Sequence, residues 1–209
     1  MSKSILPYER HGAWTVSHPF YYDCAYRTLN EFQATLLRLQ AKEQELRVQY
    51  SDEEEPLLTA FIYKETCDLH REAFKIATSS FLFLCMCIES FINHYGTKRL
   101  GEEYYKRNLE RVGITEKLSL LVVICHQTKL DPNDPMLKKT RALFDKRNEL
   151  VHPKTKEFNF EKPEDFFSKH PKEINLQSDF DDMEYIVQRL CELDSDIDRS
   201  GEFMKPAEG

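Results

Sequence analysis

The sequence predicts an all-α fold, an up-and-down bundle of about five helices in a single domain. Three observations carry this expectation. The 209-residue chain holds only six glycines, and long stretches free of proline suit helices better than the turn-rich strands of a sandwich or barrel. Apolar residues make up 41% and charged residues 31%, an ordinary balance for a globular chain of this length with a sizeable core. Apolar side chains also recur every three or four residues, the period of one helix face. The domain is read over 1–209, with its core at about 23–199, and the first 20 or so residues and the tail 200–209 peripheral.

Each element has its own signals. A first helix over about 23–49 places Leu29, Phe32, Leu36, Leu37, Leu39 and Leu46 near helical spacing. The run "SDEEEP" breaks it, and acidic residues before Pro56 suit the amino end of the next helix. Residues 57–95 contain neither proline nor glycine, so one very long helix or two abutting ones follow, with Gly96 as a C-terminal stop. A short helix is expected over about 102–110. Thr115 is then a candidate cap for a helix through "EKLSLLVVICHQ". Asp134 as N-cap with Pro135 at the first helical position is a strong start signal. That helix runs to Val151 or His152, because Pro153 disfavours helical geometry in the residue before it. A loop with a short helical turn near 163–168 leads to a last helix over about 178–196, striped by Met183, Ile186, Val187, Leu190 and Leu193.

The segment 76–92, "IATSSFLFLCMCIESFI", is short for a membrane span and carries Thr78, Ser79, Ser80 and Glu89. It reads as the central helix of the bundle, and no membrane is expected. None of the six cysteines forms a C-x-x-C pair or a zinc-finger spacing. Cys85 and Cys87, inside the apolar run, read as buried thiols. The opening residues lack the basic-then-apolar pattern of a signal peptide. A cytoplasmic protein fits these features.

The chemistry concentrates in "FDKRNELVHPKTK". Arg147 lies four residues after Leu143, three before Leu150 and four before Val151. It shares their stripe, joined by Met136 and, at the edge, Phe144. An arginine cannot shed its charge, so burial there calls for an anionic or hydrogen-bonding partner. Glu89, within "FLFLCMCIESFINHY", faces the same penalty, and a Glu89–Arg147 contact is the expected pairing. Asn148 and His152 are four apart and share a face. Arg147 and His152 are about 140° apart in a regular helix, but Pro153 takes His152 out of helical geometry and lets its ring swing back. The helix C-terminus favours the protonated imidazole.

Net charge is −7, which argues against a surface coated for bulk nucleic-acid binding. Locally the sign reverses. From 138 to 156 there are seven basic residues against two acidic ones, a net of +5. Arg141, Lys146, Lys154 and Lys156 are the candidate phosphate-binding cations of that segment, which would draw a phosphate more than any other.

"RNELVH", 147–152, resembles the R-x(4–6)-H signature of the HEPN domains (higher eukaryotes and prokaryotes nucleotide-binding), including the polar residue after the arginine. The setting is similar too: an apolar helix with "IESFIN", then "ITEKLSLL", then a motif helix entered through "DP". The resemblance covers roughly 73–153. Pro153 departs from the glycine that follows the histidine in many members.

The resemblance implies a homodimer that joins two copies of the motif, and a metal-independent ribonuclease of toxin, defence or RNA-processing systems. His152 would then move a proton at the ribose 2′-hydroxyl or the leaving oxygen, Arg147 would stabilise phosphate charge, and Asn148 would orient either group. Glu89 would hold Arg147 from behind. No metal or cofactor is implied, and RNA is the implied partner. Other members of the family are not nucleases, so a non-catalytic module binding a protein partner or a nucleotide is the alternative. Glycine-rich phosphate loops, H-E-x-x-H and G-x-S-x-G are absent from the sequence. The pairs His70/Glu72 and Cys125/His126 lack the further ligands of a metal site and read as surface or core residues. The cluster "HPFYYDCAY" reads as packing for the first helix rather than a base-stacking platform.

Overall fold

The computed structural model describes residues 17–151 and 171–197. The described residues form six α-helices and one 3-10 turn: α1 (His18–Gln49), α2 (Glu55–Leu100), α3 (Glu102–Asn108), α4 (Ile114–His126), α5 (Pro135–Val151), the turn Pro171–Glu173 and α6 (Leu176–Leu193). The all-α expectation holds, with six helices where about five were expected.

α1 starts earlier than its apolar spacing suggests. Pro19 occupies the first turn, where its fixed φ suits a helix and its missing N–H costs nothing. His18, Tyr22 and Ala25 are buried there, so the aromatic cluster packs α1 onto the bundle. Leu29, Phe32, Leu39 and Leu46 are buried as the stripe predicts, whereas Leu37 turns to solvent.

α2 is one continuous helix of 46 residues, about 70 Å long at 1.5 Å per residue. It runs antiparallel to α1. Ser80 donates to the Ala25 carbonyl at 2.9 Å, Arg38 pairs with Glu72, and near the turn Arg47 meets Glu55. The only stretch among the described residues long and apolar enough to cross a bilayer lies in α2, and half of it is buried in the fold.

Gly96 is not the stop that the sequence suggests. The helix continues through it, and a Cβ there would sit 2.5 Å from Cε2 and 2.8 Å from Cδ2 of Tyr105. Gly96 lets α3 lie close against α2. The stop is Gly101, whose φ of +79° suits a residue without a Cβ. Thr115 is likewise no cap: α4 begins at Ile114 after Gly113, and Thr115 is buried in the first turn.

One buried cluster draws on every helix, including Phe32, Phe81, Ile88, Tyr105, Leu121, Met136 and Met183. A second, small cluster of Leu46, Leu58 and Ile62, with Tyr50 against it, closes the far end of the α1–α2 hairpin. α5 and α6 pack beside the C-terminal half of α2. On α6, Met183, Ile186, Val187 and Leu190 are buried, as its stripe predicts. Its N-cap is Asn175, whose side chain accepts from the Ser178 amide at 3.1 Å. The short turn expected near 163–168 lies outside the described residues.

Candidate functional site

α5 is held at its start as the sequence predicts, the Asp134 carboxylate accepting from the Met136 amide at 2.8 Å. Met136, Leu137, Thr140, Leu143 and Phe144 then bury one face. The last turn departs from the expected stripe: Leu150 is 44% and Val151 42% exposed. Among the described residues, α2 and α6 still reach Lys146, and residues 148–151 are exposed. Arg147 is half-buried and Asn148 exposed. The Arg147 guanidinium donates through Nη1 to Asn148 Oδ1 at 2.9 Å. His152, Lys154 and Lys156 lie outside the described residues.

Glu89 is half-buried, and among the described residues it forms no ion pair with Arg147. The charges of both groups nevertheless act on one buried thiol. The Cys85 sulfur lies 4.0 Å from the Leu143 carbonyl. Burial, and then the charge of Asp179, push that thiol up to about 12; Arg147 and Lys146 oppose the shift and Glu89 adds to it. Two cations and two carboxylates thus act on the Cys85 thiol with opposing sign. The thiol itself, buried and hard to ionise, is inert. Cys87 is likewise buried, with its thiol pushed up by burial alone.

The local positive charge is smaller in space than in sequence. Lys146 pairs with Asp179 of α6, and its ammonium lies 4.3 Å from the centre of the Phe81 ring. Lys139 pairs with Asp182 and lies 5.3 Å from the Tyr185 ring centre. Lys139 precedes Lys146 whereas Asp182 follows Asp179, so α5 and α6 run antiparallel. Arg141 is exposed. Asp179 is mostly enclosed, and burial raises its carboxyl above the usual range despite the Lys146 hydrogen bond.

A second polar cluster has no counterpart in the sequence reading. Beyond α6, Asp194 accepts from Arg99 Nε at 2.8 Å, from Arg99 Nη2 and from the Tyr95 hydroxyl at 2.8 Å. Arg99 Nη2 also reaches Asp196 at 3.0 Å. The Arg99 and Asp194 side chains are both fully buried. His126 Nε2 lies 2.8 Å from the Tyr95 hydroxyl, and its Nδ1 is buried without a hydrogen-bond partner. With Tyr95 donating to Asp194, Nε2 carries the hydrogen and Nδ1 is a bare acceptor, the less costly atom to leave unpaired. Burial lowers the His126 pKa; the Asp194 charge opposes this and Arg99 adds to it. His126 is therefore a core residue, as expected, but one at the centre of an ion-pair network.

Lys117 is also buried, donating to Asn93 Oδ1 at 2.8 Å and the Glu110 carbonyl at 3.2 Å. Tyr105 donates to the same Asn93 oxygen at 2.6 Å. Burial lowers the Lys117 pKa. This knot ties α4 to α2 and to the end of α3. The other pair weighed from sequence, His70 and Glu72, serves α1: His70 lies 3.8 Å from Glu43, and Glu72 takes Arg38. No group of His, Cys, Asp and Glu suited to a metal occurs among the described residues.

Of the three clusters, the Asp194 and Lys117 networks are largely buried, with Asp196 and Asn93 partly exposed at their edges. Of these three, the end of α5 presents its polar groups most openly, with Asn148 exposed and Arg147 half-buried. No family model, curated protein or solved structure matches the chain.

Proposed function

We propose that the chain is a metal-independent endoribonuclease of HEPN type, acting as a homodimer whose site combines Arg147, Asn148 and His152 of both copies. One observation carries the reading: Arg147 is half-buried at a helix end, and among the described residues its guanidinium is tied to a neutral amide rather than to a carboxylate. A guanidinium held this way keeps its full charge for a planar, multi-oxygen anion such as a phosphodiester. Leu150 and Val151, exposed on the same turn, supply apolar surface for a second copy to cover. Asn148, already bonded to Arg147, fixes the guanidinium plane. His152 supplies the group that titrates near neutrality.

A second reading, a non-catalytic module that binds a protein partner or a nucleotide, draws on the neutralisation of Lys139 and Lys146 by α6. That pairing weakens the field a long RNA would feel.

Incubation of the purified protein with mixed RNA in EDTA, beside Arg147→Ala and His152→Ala, separates the two. Cleavage by the parent protein that both substitutions abolish is the expected result. Intact RNA with a folded, dimeric protein selects the binding module.

A further inference from the structure

Lys146 directly precedes Arg147, about 100° around the helix from it, and both cations act on the Cys85 thiol. Yet the two are held differently. Arg147 rests on a neutral amide, whereas Lys146 is bound to the Asp179 carboxylate and laid across the Phe81 ring. The Lys146 side chain is 42% exposed and that of Asp179 only 13%. The lysine can therefore leave and the aspartate cannot. A lysine on four rotatable bonds reaches several ångströms around its own Cα, enough to turn from α6 toward the end of α5.

We propose that Asp179 sets the phosphate affinity of the Arg147 site by acting as the resting counter-ion of Lys146, which transfers to the phosphodiester when RNA binds. This rests on the reading of Arg147 as a phosphate-binding residue. Asp179 holds the Lys146 ammonium until RNA binds, and a phosphate must compete with it for that lysine. Asp179 is a positioning residue, acting only through Lys146. The Lys139–Asp182 pair has the same chemistry on the same two helices, but lies two helical turns from Arg147. It therefore serves as a control for charge alone.

The test is fluorescence anisotropy of the full-length chain with a labelled single-stranded oligoribonucleotide, in a His152→Ala background so that RNA is not consumed. Salt is varied between about 50 and 200 mM. Asp179→Asn is expected to bind roughly 3- to 10-fold more tightly than the parent. The slope of log affinity against log salt should stay as in the parent, because Lys146 reaches the phosphodiester in both, whereas Lys146→Ala should lower it by about 0.7, one phosphate contact on a single strand. Lys146→Ala should erase the difference between the Asp179 forms. A purely structural tie between α5 and α6 would shift stability but not that slope.

If Asp179→Asn behaves like Asp182→Asn while Arg147→Ala still weakens binding, the site stands and the counter-ion role is overturned. If Arg147→Ala binds RNA as tightly as the parent, or no form binds, the phosphate site itself is wrong and this inference falls with it.

Discussion

Asp194 is a single carboxylate that satisfies two Arg99 nitrogens and the Tyr95 hydroxyl in a site closed to water. Removing it leaves a guanidinium, which cannot deprotonate, without the buried carboxylate that two of its nitrogens share. Asp194→Ala is therefore expected to cost about 3–5 kcal/mol, the range for breaking a buried pair, as measured by urea unfolding. The neighbouring His126 makes the network sensitive to acid. Its pKa is lowered in the folded state, so the unfolded chain binds the proton more tightly. Stability from this residue is complete above the unfolded value of about 6.5 and declines as pH falls from there toward the lower folded pKa. Urea midpoints should therefore drop between about pH 7.5 and 5.5, and His126→Gln should flatten that part of the profile. A midpoint unchanged in the parent protein would mean that the imidazole binds its proton equally well folded and unfolded.

At the scale of elements, the joint between α2 and α3 depends on the missing Cβ of Gly96. Alanine there is the better helix former by about 1 kcal/mol, but its methyl would meet the ring edge of Tyr105. That ring is 3% exposed and anchored through its hydroxyl to Asn93, so it has little room to yield. Overpacking of this kind costs about 1–3 kcal/mol. Gly96→Ala is expected to be destabilising on balance, and a raised melting temperature would show that α3 can move aside. The same glycine marks how far sequence reading reaches. A glycine closing an apolar helix is ambiguous between stop and close contact, and only the partner ring decides. Signals within one turn were legible, as with Asp134 and Pro135 at the start of α5 or the Met183–Leu190 stripe of α6. Arg99 and Asp194 are 95 residues apart, and no local pattern joins them. The α5 stripe failed in its last turn for a related reason. Periodicity places Leu150 and Val151 on the face of Leu143, but whether neighbours extend that far depends on where other helices end.

Across the molecule, packing is uneven along α2. Its C-terminal half lies in the main core, with Leu84, Ile88, Ile92 and Tyr95 almost wholly buried, and meets α3, α4, α5 and α6 there. Its N-terminal portion has only the small cluster of Leu58 and Ile62 with Leu46 of α1, and Leu57 and Tyr63 face solvent. A helix formed by local hydrogen bonds takes most of its stability from tertiary burial. The single helix should therefore behave as two regions. Native-state hydrogen exchange is expected to show amides near 80–95 opening only with global unfolding, and those near 57–66 opening locally at lower free energy. Separation of the two regions by about 2 kcal/mol or more would agree with the difference in burial. Equal protection from 57 to 95 would instead mean that the hairpin end is held by something beyond its own small cluster. The site at the end of α5 lies with the stable half, through Cys85 and Leu143. Arg147 is thereby carried on the well-packed part of the fold while its own turn is exposed, the arrangement that the proposed anion site requires.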